Sequence, residues 1–177
     1  MAIDFPALLK TLKDRFGDDV LGHAEFRKQI TLRIKHTANV PILRFLRDDP
    51  AAKFDMLTDV TCVDSLRLPE DMMREYPERF SVVYQLTSLE HNERLRVKAY
   101  VPEEPCEIDS VAELWDAANW GEREAFDMFG VIFIGHPDLK RILMPDNYEG
   151  HPLRKDYPLK GRGERDNFPK YTEIPER

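Results

Sequence analysis

Two alternating runs joined by a polar turn constrain this chain more than any other feature. Phe80 to Leu89 and Arg94 to Val101 flank His91-Asn92-Glu93, a turn between two strand-like segments. In the second run Leu95, Val97, Ala99 and Val101 face one way, and Arg94, Arg96 and Lys98 face the other. A side-chain period of two with one apolar row predicts a hairpin that packs on one face and stays wet on the other, as in an open antiparallel sheet.

Around that hairpin the periodicity alternates between the two regular structures. Residues 4–17 place Phe5, Leu8, Leu9, Leu12 and Phe16 at helical spacing, with Asp4 as cap and Gly17 as stop. Residues 29–36 alternate as a half-buried strand. Residues 39–48 return to helical spacing, behind an Asn39 cap and with Pro41 in the first turn. Residues 54–64 read as a short strand and 65–78 as a loop. In 110–130, Ser110 and Glu113 have the spacing of a capping box ahead of Val111, Leu114 and Trp115. Gly121 is expected to break this stretch into two helices, the second ending at Gly130, with Val131 to Ile134 a short buried strand. The expected fold is a two-layer α+β domain over residues 1–144: a largely antiparallel sheet packed on one side by helices from 4–17, 39–48 and 110–130. Residues 145–177 carry Pro145, Pro152, Pro158, Pro169 and Pro175 and few aliphatic side chains. They are expected to form an extended, proline-rich C-terminal tail that orders on a partner.

Composition narrows the function classes. The 177 residues are 42% hydrophobic and 33% charged, with a formal charge of −7, which lowers the prior for a nucleic-acid binder or a polybasic membrane-surface protein. The longest unbroken apolar run, Val131-Ile132-Phe133-Ile134, is far below the ~20 residues a membrane span needs. Asp4, Asp14, Asp18 and Asp19 argue against a targeting peptide. Cys62 and Cys106 form no Cys-x-x-Cys pair and are read as reduced thiols, too few for an iron–sulfur cluster or a cysteine-rich zinc site.

Chemistry concentrates in 122–143. Arg123 and Asp127 are spaced to pair on a helix, and Glu122 and Glu124 suit a helix N-terminus. Carboxylates this close could act as a general acid and base, but no nucleophile, glycine-rich loop or ligand set accompanies them, and ion pairing is the favoured reading. The triplets Gly135-His136-Pro137 and Gly150-His151-Pro152 read as turns rather than as a metal-ligand pair. A free-standing hydrolase using Glu122, Glu124, Asp127 and His136, and a metal module using His136 and His151, are the competing readings. No catalytic, cofactor-binding or metal-binding residue is assigned.

The blocks Glu122-Arg123-Glu124, Asp127-Met128-Phe129-Gly130 and Gly135-His136-Pro137-Asp138-Leu139-Lys140-Arg141-Ile142-Leu143 resemble the 30 kDa (C-type) subunit family of proton-pumping NADH–quinone oxidoreductase, respiratory complex I. Gly150-His151-Pro152-Leu153-Arg154-Lys155-Asp156-Tyr157-Pro158-Leu159 is similar to the same family's second block. Lys140 departs from the family's usual Arg, keeping the charge without the planar fork. The resemblance implies a structural and assembly component of the hydrophilic arm, one copy per complex, supporting electron transfer from NADH to quinone. It implies that FMN, the iron–sulfur clusters and quinone belong to partner subunits. Its neighbours would be the D-type homologue that forms the quinone site and the iron–sulfur subunits, with membrane contact only through the complex, on the cytoplasmic face of the bacterial inner membrane. The motif residues would lie at subunit interfaces and the tail would wrap the neighbour. The chain is expected to be the free form rather than a fusion with the D-type neighbour. The same module in a membrane-bound hydrogenase or a plastid-type quinone oxidoreductase is the alternative.

Overall fold

The computed structural model describes residues 3–69 and 76–163. Helix α1 (Phe5–Phe16) is followed by the hairpin β1 (Val20–Phe26) and β2 (Gln29–Lys35), then helix α2 (Asn39–Asp48) and strand β3 (Met56–Asp64). Strands β4 (Phe80–Ser88) and β5 (Glu93–Val101) form the expected central hairpin. A short strand β6 (Glu107–Asp109), helix α3 (Ala118–Phe129) and strand β7 (Ile132–Ile134) follow among the described residues. The five long strands make one sheet in the order β1-β2-β5-β4-β3, antiparallel except for the β2–β5 pair; β6 and β7 pair in parallel apart from it.

Register explains the two faces. Leu32, Val97, Tyr84 and Val60 stand in one cross-strand row, and Ile34, Ala99, Val82 and Cys62 in the next. Both rows are buried and join Leu8 and Leu12 of α1, Ile42, Leu43 and Leu46 of α2, and Ala125 and Met128 of α3 in one apolar cluster. The opposite face carries Thr31, Arg96, Gln85 and Asp59 in one row and Arg33, Lys98, Val83 and Thr61 in another. The mixed, mostly antiparallel sheet, with three α-helices among the described residues, is the α+β architecture expected.

The ends of α1 follow their sequence signals. Asp4 accepts the Ala7 N–H at 3.1 Å, and Gly17 leaves the helix at φ 55°. Several expectations are corrected. Residues 20–26 form a strand that carried no alternating signal, because β1 is an edge strand exposed over most of its length. Asn39 does not cap α2. It is buried, and its amide donates to the Asp109 carbonyl at 2.7 Å and to Tyr84 Oη at 3.3 Å. Gly121 does not break a helix: it lies inside α3, where its missing side chain lets the helix approach β3. Residues 110–117 are turns, and Ser110 bonds Glu122 rather than closing a capping box with Glu113. Strand β7 is buried only at its centre, since Ile132 and Ile134 face outward on either side of buried Phe133. No helix among the described residues is long and apolar enough to cross a membrane. The tail expected over 145–177 falls outside the described residues from 164 onward.

Candidate functional site

The motif block gathers at the C-terminal end of α3, where a helix exposes carbonyls that need donors. The Asp127 carbonyl accepts from His151 Nδ1 at 3.0 Å and Arg141 Nη1 at 3.2 Å, the Met128 carbonyl from the Leu153 N–H at 3.1 Å, and the Phe129 carbonyl from Arg154 Nε at 2.6 Å. Gly130 closes the helix in the left-handed region at φ 77°. A Cβ there would come within 2.5 Å of His151 Nε2 and 2.7 Å of Arg154 Nη2, so only glycine lets the 151–154 segment seat. The cations Arg141 and Arg154 also suit the negative end of the helix dipole.

The Asp127 side chain, 0% exposed, organises the segment that follows. Its Oδ2 accepts the N–H groups of Ile142, Leu143 and Met144 at 3.0, 2.8 and 2.9 Å, and its Oδ1 accepts Arg141 Nη1 at 2.6 Å. Burial pushes the carboxyl pKa up. The three backbone donors and the Arg141 guanidinium outweigh that and hold it below the usual carboxylate range. Arg123, the partner expected for Asp127, instead lies against the Trp120 ring and donates from Nε to the Lys140 carbonyl at 3.1 Å. The expected Arg123–Asp127 pair is thereby corrected: the buried Asp127 carboxylate is taken by Arg141 and three backbone donors, and half-buried Arg123 by the Lys140 carbonyl.

A second buried carboxylate, Asp64 at the end of β3, ties the same segment to the sheet. It accepts the Leu66 N–H at 3.0 Å, the Lys155 N–H at 2.8 Å, and Arg79 at 3.2 and 3.0 Å. Burial raises its pKa, but Arg79 and the two backbone donors leave it lowered. Arg79 also meets Asp156 at 2.7 Å, and both Arg79 and Arg154 stand over the Phe80 ring. Residues 151–156 are thus bonded to the body of this chain. Asp64, Arg79 and Phe80 belong to no motif; only the register Asp64↔Phe80 brings them together.

The remaining candidates do not converge. Glu122 is fully buried and accepts Ser110 Oγ at 2.5 Å and the Val111 N–H at 2.7 Å; burial, opposed by those two donors, pushes its pKa up to about 7. Glu124 is exposed. His136 Nδ1 accepts the Asp138 N–H at 3.0 Å, which leaves the proton on Nε2 to donate to the Asn119 carbonyl at 3.2 Å. Burial holds the His151 pKa below its ordinary value; the bond to the Asp127 carbonyl opposes this, and the Arg154 and Arg141 charges add to it. The two histidines therefore serve opposite ends of α3. Among the described residues no group of three or more His, Cys, Asp or Glu is placed to hold a metal ion. Asp138 pairs with Lys140, both exposed; Tyr157 Oη meets Tyr148 Oη at 2.7 Å; Leu139 packs on the core. Gly135, Pro137, Leu143, Leu153, Lys155 and Pro158 lie at the surface, and Pro152 is half-buried.

This geometry explains why the motif residues occur together, and similarity to known proteins gives them a family. The model of the respiratory-chain NADH dehydrogenase 30 kDa subunit matches residues 32–163. The chain belongs to that family. The C-type subunit of the NADH-quinone oxidoreductase of Geobacter metallireducens is 49% identical over 152 residues, 86% of this chain and 88% of the relative. Its counterpart in Roseiflexus castenholzii is 44% identical over 90% of this chain and 87% of its own length. A solved trypsin-resistant fragment of Nqo5 superposes with a TM-score of 0.61 at 31% identity, covering 75% of this chain and 98% of the fragment. A chain of a membrane-bound sulfane sulfur reductase, an archaeal respiratory membrane complex, shares the fold at a TM-score of 0.68 and 20% identity, over 97% and 95% of the two chains. The family match spans both motif blocks and ends where the described residues end.

Proposed function

We propose that this chain is a structural subunit of the hydrophilic arm of an NADH–quinone oxidoreductase, with no active site or cofactor of its own. One observation carries this reading. The ionisable groups at the C-terminal end of α3 are engaged in holding the chain's own backbone: Asp127 binds three consecutive N–H groups, and His151 and Arg154 bind helix carbonyls. Groups so occupied brace a surface; a general base or a ligand needs a free lone pair facing a substrate. Around this braced core Ile132, Ile134, Leu143 and Leu153 are 41–56% exposed. Apolar side chains outward on a rigid frame are what a contact between subunits uses. The neighbour at this face is the D-type, quinone-site homologue, with iron–sulfur subunits beyond it, at the cytoplasmic face of the membrane. FMN, iron–sulfur clusters and quinone reside in those neighbours. Relatives at 49% and 46% identity carry the NADH-quinone oxidoreductase name, which favours that assembly over a related hydrogenase.

Affinity purification of the tagged chain from gently solubilised membranes tests the reading. Recovery with a flavin- and iron–sulfur-containing assembly that reduces quinone is the expected result. Recovery of the chain alone, or turnover by the isolated chain, would overturn it.

A further inference from the structure

The sheet face turned away from the helices carries an unusual charge for this chain. Arg33 on β2 and Arg94, Arg96 and Lys98 on β5 all project from it. Among the described residues none of the four has a carboxylate partner: Arg96 donates to Gln29 Oε1, Lys98 to Tyr76 Oη and Arg33 to the His23 carbonyl. Arg33 Nε is buried with no hydrogen-bond partner among them. Asp59 is the carboxylate in the row of Arg96, two strands away from it. The chain as a whole is at −7, so this face is a local reversal of sign.

The face is also shaped for contact. Arg94, Arg96, Gln29, Thr58, Gln85 and Thr87 line a depression of about 310 Å³, with Asp59 as the one carboxylate in its lining against the two guanidinium groups. At its margin, on the same face, Phe26 is 71% exposed beneath the Arg27 guanidinium. It precedes a two-residue turn in which Arg27 and Lys28 both hold positive φ, 51° and 65°, a conformation that favours Asn-Gly and costs other residues energy. An exposed aromatic beside arginines that lack a carboxylate has the composition of an interface hot spot.

We propose that this face docks a carboxylate-rich segment of a neighbouring protein in the assembly. Charge complementarity selects the occupant. Four cations without counter-ions among the described residues match a few carboxylates presented locally, while an extended polyanion such as RNA would meet the acidic remainder of the molecule. The inference rests on the reading that the chain is built into a respiratory assembly, and it gives that assembly a second contact, on the opposite side of the sheet from the core that braces the motif block.

The test uses the whole assembly, retrieved through the tagged chain. Three forms are compared: the native chain, the R94E/R96E double variant, and R94K/R96K, which keeps the charge and adds amines. Expected results are a salt concentration for dissociation at least twofold lower for R94E/R96E, near-native behaviour for R94K/R96K, and a carbodiimide cross-link from R94K/R96K to an Asp or Glu of a co-purifying protein. A native assembly whose salt tolerance R94E/R96E leaves unchanged, with no cross-link, overturns this inference and leaves the reading of the chain as a structural subunit standing. A native chain that retrieves no assembly overturns both. Ultraviolet cross-linking to nucleic acid with no protein cross-link assigns the face to a polyanion and overturns it as well.

Discussion

Asp127 and Glu122 sit on one helix, both fully buried, yet their pKa values are shifted in opposite directions. Asp127 has Arg141 and three N–H donors, so its charged form is the stable one; Glu122 has a hydroxyl and one N–H and no cation, so burial dominates. The consequences for stability have opposite signs. The folded pKa of Asp127 lies below its ordinary 3.8, so its contribution is present above that value and is lost as pH falls through the folded pKa. Asp127→Asn, which leaves Arg141 without its counter-ion, is expected to cost about 3–5 kcal/mol at pH 7 and to weaken the acid dependence, as measured by urea unfolding at several pH values. Glu122 is raised from 4.5 to about 7. Its contribution is complete below 4.5 and declines by about 1.4 kcal/mol per pH unit until pH passes 7. Glu122→Gln keeps an acceptor for Val111 and is expected to remove that slope, so the variant gains on the native chain at pH 8. A slope that survives the substitution would place the titrating group elsewhere. The sequence announces both residues as acids of one motif. It holds no sign of which is paired, because Arg141 reaches Asp127 across a turn that no local spacing encodes.

At the scale of elements, two glycines of α3 separate propensity from packing: Gly130 closes the helix as its left-handed φ requires, while Gly121 lies well inside it, where Ala is ordinarily worth up to about 1 kcal/mol over Gly. Here a Cβ would stand 2.8 Å from Val60 Cβ and 2.9 Å from the Val60 carbonyl on β3. Gly121→Ala is therefore expected to destabilise by about 1–3 kcal/mol, the opposite sign from propensity, measured by thermal or urea unfolding. A stabilised variant would mean that α3 can step back from the sheet at little cost. This close approach is also why the glycine misleads as a helix breaker. The element boundaries legible in the sequence are those with local causes: Asp4 and Gly17 around α1, and the polar turn and alternating row that mark β5. Strand β1 has no signal in the sequence because Gly22, His23 and Ala24 at a sheet edge carry no apolar row. The turns at 110–117 mimic a capping box because Ser110 does accept the Ala112 N–H at 3.1 Å, while its hydroxyl answers to Glu122 from another element.

At the scale of the molecule, the motif block joins helix to sheet through chain that reads as a tail. Residues 151–156 supply the N–H of Lys155 to Asp64, the N–H of Leu153 to Met128, and the side chains of His151 and Arg154 to the end of α3. Composition could not reveal this, because the segment is poor in aliphatic residues and contributes by hydrogen bonds rather than by buried area. Truncation position therefore separates its roles. Ending the chain after Met144 keeps the Asp127 side-chain donors but takes a donor from each of three helix carbonyls and one from Asp64. Each lost bond is worth about 0.5–1.5 kcal/mol, and those involving charged groups about 1.5–3, so this truncation is expected to cost several kcal/mol. Ending it after Gly163 removes none of these bonds and should leave the stability of the isolated chain within about 0.5 kcal/mol of native. Comparison of the two by urea unfolding, followed by their incorporation into the assembly, distinguishes bracing from partner contact. If the shorter chain unfolds like the native one, the 151–156 segment does not brace the domain. If the longer chain is stable yet fails to assemble, residues 164–177 carry the contact with the neighbour that the proline-rich composition suggests.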